Sequence, residues 1–377
     1  MRSFVKLSIT LCLALACEDD APRAFTAHKV PGPAPAEPIV NVAVSGELGF
    51  DLAPLADGAL LVIAERDGGV SARLLDGEGA VRGKPLWIAP ASDGKAFEVA
   101  AASLGTRIGA AWVAESRGGS ASFGALGDAA TKSFSPPQLL GEAPRRSTAE
   151  AGFVALSASE EGGFVALRRG LDEPCEGDQK RSCASFGFRE LLPGAVERRG
   201  LAMSVPAPCA RPLAGFVSDG ERWHYGLCSL DRGAALTTHF MRQLSPFYVD
   251  VHHSLEGCTP LGATALGGDV IFAGDCAEGR RGVRVGGMGS KPQRFELAQA
   301  SVDCVGGRPR LRAPGEAPLE LHLREPRAGL ELLLPGRVVP GHSRAAWTGM
   351  RLLTATWLAG DVVLRRFECR GSELVPD

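Results

Sequence analysis

The chain has 377 residues, 41 basic and 43 acidic, for a net charge of −2, and 45% of it is apolar. A balanced charge without a basic block argues against a nucleic-acid surface, which needs a cationic face or stripe, while length and apolar content suffice for a large core. Aromatic residues make up only 6%, too few for a carbohydrate groove built from many stacking platforms.

Arg2 and Lys6 precede an apolar run from Leu7 to Ala16, too short to cross the roughly 30 Å hydrocarbon core of a bilayer as a helix. Residues 1–16 therefore read as a secretory signal. The run ends in Leu13-Ala14-Leu15-Ala16-Cys17, which resembles the lipobox of bacterial lipoproteins, with Ala14 where leucine is commonest. That resemblance implies cleavage before Cys17, lipidation of Cys17, and a membrane held through the lipid in the bacterial cell envelope. Glu18, Asp19 and Asp20 follow at once, strongly hydrated acids suited to the headgroup level. Glu18 at the position after the cysteine points to the outer membrane, by the sorting pattern of the same family. The alternative is an ordinary cleavable signal, with Ala14-Leu15-Ala16 as its A-x-A site.

Residues 17–38 hold Pro22, Pro31, Pro33, Pro35 and Pro38 among alanine, glycine and charge. Such a stretch buries little and extends in polyproline-like fashion, which makes it a semi-rigid tether. The remaining residues, 39–377, are read as one domain because they repeat. At an offset of 50 residues Ala64-Glu65 meets Ala114-Glu115, Gly68-Gly69 meets Gly118-Gly119, and Gly77 meets Gly127. The unit is a short apolar strand, a glycine turn, a more apolar strand, another glycine turn and a third strand. Its first turn falls near Asp57-Gly58, Gly105, Gly162-Gly163, Asp219-Gly220, Gly267-Gly268, Gly306-Gly307 and Gly349, at spacings of about 40 to 57 residues.

An all-β chain of such antiparallel units fits a β-propeller, most readily one of seven blades, in which each blade is covered on both faces by its neighbours. The pattern over 39–377 resembles propellers of kelch or sialidase type. Gly267-Gly268 is similar to the kelch double glycine without the Tyr and Trp that follow it, and Ser218-Asp219-Gly220 with Trp223 resembles a sialidase Asp box with altered spacing. Ring closure predicts that Ile39 to Ser45 pairs beside the last blade. Tandem β-sandwiches are the alternative, and the five tryptophans, among them Trp87, are expected in the core.

Of ten cysteines, Cys12 leaves with the signal and Cys17 takes lipid. The eight that remain allow 105 pairings. Cys209 and Cys228 lie symmetrically about the turn at Ser218-Asp219, and Cys258 and Cys276 about Gly267, so each pair faces across a hairpin within disulfide range. Cys175 and Cys183 close a loop, and Cys304 and Cys369 pair by elimination. Metal ligation by His224, Cys228 and Cys276 is the competing reading, but an exported chain without C-x-x-C favours disulfides.

Catalytic signatures are weak. "GHSRA" (341–345) lacks the strand–helix context of a nucleophile elbow, since the residues after Ser343 are strand-like. His252-His253 is expected in a surface loop. With no catalytic, metal-binding or cofactor-binding set, the sequence predicts a binding or scaffold protein whose propeller loops contact a protein or glycan partner. The alternative is an envelope hydrolase or lyase, glycan-active, with Asp, Glu, His or Arg residues gathered at the channel mouth.

Overall fold

The computed structural model describes residues 38–41, 49–90, 94–116, 119–143, 154–158, 163–175, 178–206, 208–218, 222–229, 235–242, 249–266, 269–285, 291–296, 301–312, 319–320, 343–358 and 361–376. Every described element is a β-strand. Cys17 and the tether up to residue 37 lie outside the described residues.

Strand β1 (Pro38–Asn41) belongs with the last sheet. The first sheet is the antiparallel meander β2 (Phe50–Leu55), β3 (Gly58–Ala64), β4 (Val70–Asp76) and β5 (Leu86–Ala89). The second contains β6 (Lys95–Leu104), β7 (Arg107–Ser116) and β8 (Gly119–Asp128), with β9 (Ser133–Phe134) and β10 (Gln138–Ala143) both beside β8. Strands β11 (Val154–Ala158), β12 (Phe164–Cys175), β13 (Asp178–Leu192) and β14 (Ala195–Pro206) make the third. The fourth is β15 (Pro208–Ser218), β16 (Arg222–Ser229), β17 (Ala235–Arg242) and β18 (Val249–Glu256), and the fifth β19 (Cys258–Leu266), β20 (Asp269–Cys276), β21 (Gly279–Val285) and β22 (Gln293–Glu296). A smaller sheet follows, β23 (Ser301–Val305), β24 (Arg308–Arg312) and β25 (Leu319–Glu320). In the last, β26 (Ser343–Trp347), β27 (Leu352–Leu358) and β28 (Asp361–Arg370) are joined by β1 and β29 (Glu373–Pro376), both paired with β28.

The first strands of successive sheets pack side by side: β26 on β2, β2 on β6, β6 on β11, β11 on β15, and β15 on β19. This succession around an axis is the arrangement of a β-propeller. It sets aside tandem sandwiches, whose sheets would each keep one wet face. Strand β3 makes the point, because successive side chains leave a strand on opposite faces. Ala59, Leu61 and Ile63 join Ala346, Leu353 and Ala355 of the last sheet, whereas Leu60, Val62 and Ala64 join Val99, Ile108 and Trp112 of the second. Both faces are covered, and this is why "ALLVIA" is apolar without alternation. Full burial of each Leu, Val or Ile there contributes roughly 1.5–3 kcal/mol. Charge at Leu61 would therefore meet Leu353 with no water between the sheets.

Pro38 pairs with Val363 and Asn41 with Asp361. The described start of the domain thus completes the sheet made by its end, and residues 42–45 lie outside the described residues. Among the predicted first turns, Asp57 with Ala56, Gly105, Gly306-Gly307 and Gly349 all connect the first and second strands of their sheets. Asp219-Gly220 and Gly267-Gly268 fall between such strands, outside the described residues.

Two expectations need correction. Trp112 and Trp347 are core residues at 2% and 3% exposure, but Trp87 is 57% exposed; it sits on β5, the outermost strand of its sheet, which among the described residues is hydrogen-bonded to β4 alone. The side chains of Trp223 and Trp357 lie outside the described residues. His252 and His253 are not in a loop but on β18, opposite Thr238 and Thr237. An outermost strand tolerates polar residues without a burial penalty, so its composition imitates a loop.

Candidate functional site

On the first strands, where a channel site would gather its acids, the sequence places Asp51, Glu98 and Asp303. Asp51 and Glu98 are buried, at 5% and 4% exposure. The Asp51 carboxylate accepts hydrogen bonds from Leu52 N at 3.0 Å, from Ala101 N of β6 at 2.7 Å and from Arg344 Nε of β26 at 3.1 Å. It is spent on joining three sheets.

A different place offers an open site. Between the second and third sheets lies a cavity of about 350 Å³, lined by Glu142, Arg168, Gly170, Leu171, Glu173, Ser185, Phe186, Gly187, Phe188 and Arg189. This volume falls in the range of small-ligand pockets. Strands β12 and β13 supply most of the wall and β10 the rest. Their pairing sets Arg168 opposite Gly187 and Ala166 opposite Arg189, so Arg168, Gly187 and Arg189 share one face. Farther along the two strands the same face carries Phe164, Ala166 and Leu191, packed with Leu140, Ala143 and Val113 of the second sheet. Where that apolar contact ends, the two guanidinium groups begin.

The opposite face is anchored. Phe186 and Phe188 are buried at 1% and 2% in a cluster with Phe216 and Tyr225. The Phe188 ring meets Phe216 at 5.8 Å and the edge of Tyr225 at 5.6 Å. Burial pushes the Tyr225 hydroxyl pKa well upward, as desolvation of a phenolate requires. Gly187 is thus held between two fixed aromatics.

Three irregularities of register meet at the cavity: between Leu139 and Gly141 on β10, between Arg169 and Asp172 on β12, and between Phe186 and Phe188 on β13. Bulges re-aim side chains and are frequent beside functional sites. Ser185 Oγ donates to Leu171 O at 2.7 Å and fixes the second of them. At Gly141, φ is 143° and an added Cβ would stand 2.5 Å from Arg168 Nη2, so only glycine lets that guanidinium cross β10. Arg168 donates to Glu142 O and Arg169 O, and Arg189 donates to Leu140 O at 3.1 Å and Phe188 O at 2.9 Å. Both planes are oriented by backbone carbonyls. Glu142 and Glu173 are exposed at the rim, and Leu171 is 44% exposed.

Beyond the cavity the β12–β13 hairpin ends in a disulfide between Cys175 and Cys183, with Cα atoms 5.1 Å apart. Cys258 and Cys276 face each other directly across β19 and β20 and are bonded, Cα to Cα 4.1 Å; Cys276 is therefore no metal ligand. Cys304 of β23 is bonded to Cys369 of β28, Cα to Cα 5.6 Å, tying the sixth sheet to the last. The side chains of Cys209, Cys228 and His224 lie outside the described residues, although the strands that carry the two cysteines pair Pro208 with Ser229. Ser343 opens strand β26 rather than a helix. Among the described residues no group of three or more His, Cys, Asp or Glu could hold a metal ion.

No protein-family model matches the chain, and no curated protein matches it. Among solved structures, a chain of Kuenenia stuttgartiensis hydrazine synthase is similar over 87% of this chain and 97% of that one, with a TM-score of 0.50 at 13% identity. A structure from a study of two prolyl endopeptidases is similar over 88% of this chain and 48% of that one, with a TM-score of 0.50 at 12% identity. The β-propeller domain of the trilobed protease from Pyrococcus furiosus, described as having an open velcro topology, aligns over 88% of this chain and 98% of that one at 11% identity and a TM-score of 0.45. Likeness at these identities is one of fold, and fold does not imply function.

Proposed function

We propose that the chain is a binding or scaffold lipoprotein of the bacterial cell envelope, anchored through Cys17, with residues 17–38 as tether and 39–377 as a propeller of seven blades, of kelch or sialidase type. The seven-blade reading takes each sheet as one blade, since the predicted first turns assign one turn to each. Glu18 supports an outer-membrane address. The partner is a glycan or protein of the envelope.

One observation carries the binding reading. Two of the described acids of the first strands are taken up inside the fold: Asp51 is engaged by donors from three sheets, and Glu98 is buried. Recognition is drawn instead to the cavity on the flank, where rigid strands present polar groups on fixed geometry. A glycan-active hydrolase or lyase is the second reading, favoured by Glu142 and Glu173 lining one cavity. Both are exposed, without the apolar enclosure used by a glycosidase acid.

Photo-cross-linking in native membranes tests this. With a benzophenone side chain at Leu171 of the full-length chain, a discrete adduct is expected. The same group at Val305, 39% exposed on the sixth sheet, should give none. Equal labelling at both positions, or release of new reducing ends from envelope glycan by the purified chain, would overturn the binding reading.

A further inference from the structure

We propose that the outer part of the first sheet carries a shallow site of its own, in which the indole of Trp87 and the carboxylate of Glu65 take a neutral sugar ring. The site belongs to a different sheet from those that line the cavity, and the inference does not depend on what the cavity binds.

One row across the first sheet sets Phe50 opposite Ile63, Ile63 opposite Ser71 and Ser71 opposite Trp87. The first three are buried, but Trp87 at the end of the row is 57% exposed. Its neighbour Leu86 packs against the cluster that joins the first and second sheets, so alternation along β5 puts the indole on the opposite face, with Ser71. Arg73, opposite Leu61, shares that face. Ser71 Oγ and Arg73 Nη2 both donate to Glu65 Oε1, the latter at 3.0 Å. Those two bonds hold the carboxylate beside the residue that faces Trp87. Oε2 is left without a partner among the described residues, on a side chain that is 13% exposed.

Charge at this shelf is already balanced, since Glu65 is paired with Arg73. An anionic ligand would meet Glu65 and a cationic one Arg73, so neither gains a net opposite charge. What the shelf offers is a flat apolar surface with a carboxylate acceptor at its edge. A sugar ring matches both parts: its C–H face lies on the indole, and a hydroxyl at the ring edge donates to Oε2, a stronger bond than one between neutral groups. A protein partner would call for a contiguous apolar patch, whereas Trp87 shares its face with Ser71 and Arg73.

The test is saturation-transfer NMR with calorimetric titration of the full-length chain in a polyoxyethylene detergent. The probes are cellotriose, whose equatorial hydroxyls leave C–H groups on both ring faces, glucuronate and tetramethylammonium. Cellotriose should bind saturably, with transfer to its ring C–H protons, and at least about tenfold tighter than either charged probe. Trp87→Ala, at an exposed position, should weaken it about tenfold without lowering the melting temperature by more than a few degrees. Trp87→Tyr keeps a platform and should stay within about threefold of wild type. Absence of saturable cellotriose binding, tighter binding of a charged probe, or an affinity unchanged in Trp87→Ala would overturn the proposal. So would fluorescence quenching by brominated phospholipid in reconstituted vesicles that Trp87→Ala abolishes, because it would assign the indole to the bilayer. A discrete adduct at Leu171 without cellotriose binding sinks only this inference. Cellotriose binding with equal labelling at Leu171 and Val305 sinks only the assignment of recognition to the cavity.

Discussion

Arg344 donates to Asp51 across the boundary between the last sheet and the first, at 3.1 Å, with side-chain exposures of 11% and 7%. A carboxylate shared by Arg344, Leu52 N and Ala101 N fixes the relative height of three consecutive first strands, which apolar packing alone would leave free to slide.

Removing one member of such a buried pair takes a buried partner of opposite charge from the other. Asp51→Ala should destabilise the protein by roughly 3–5 kcal/mol, read as a lower midpoint in equilibrium urea unfolding. The double replacement Asp51→Leu with Arg344→Met should recover much of that loss. A single variant within about 0.5 kcal/mol of wild type would show that the strands are held by packing alone.

The Cys304–Cys369 bond closes a loop with a sequence separation of 65, worth about 4 kcal/mol on the chain-entropy model. Replacing both cysteines with alanine should lower the melting temperature and expose amides of β23 and β29 to hydrogen exchange ahead of β3. Peptide mapping without reduction should also recover Cys209 linked to Cys228. Free thiols at those two positions would refute the symmetrical-hairpin reading for the fourth sheet.

Glu368 is held below the ordinary carboxylate range, chiefly by the hydrogen bond from Arg370, with Arg351 adding to it. Since the folded pKa lies below the unfolded one, the stabilisation is complete above the unfolded value of about 4.5 and is lost as pH falls through the folded value. Arg351 also reaches Glu78 of the first sheet at 3.2 Å, so the Glu368 contact lies beside one that joins the first and last sheets. Wild type should therefore melt above Glu368→Gln at pH 7, and the gap should close toward pH 3. A gap that stays constant or widens in acid would assign the difference to packing.

Lipidation has a direct check. Growth with an alkyne-tagged fatty acid should label the wild-type chain and leave Cys17→Ser unlabelled and absent from the membrane fraction. Equal labelling of both would return residues 1–16 to the status of an ordinary cleavable signal.

Much of this fold is legible in the chain because its signals are local. Glycine marks the turns at Gly105, Gly306-Gly307 and Gly349, and the unbroken apolar run of β3 announces a strand covered on both sides. Cys258 and Cys276 could be matched because a hairpin makes sequence symmetry into spatial opposition. The cavity had no such signal. Arg168 and Arg189 become neighbours only through the β12–β13 register, and the wall from β10 depends on how two sheets stack. Gly187 between Phe186 and Phe188 was the one hint, a missing side chain where its flanking residues are large. Trp87 reads the opposite way: its apolar neighbours on β5 look like core, but β5 is the outermost strand of its sheet.

The pairing of β1 with β28 has a mechanical side. Force reaching the propeller through the chain ahead of Pro38 arrives first at the short ladder that sets Pro38 against Val363 and Asn41 against Asp361. Tension would peel that ladder before it strained the disulfide-linked strands beyond, making this splice the fuse of the ring.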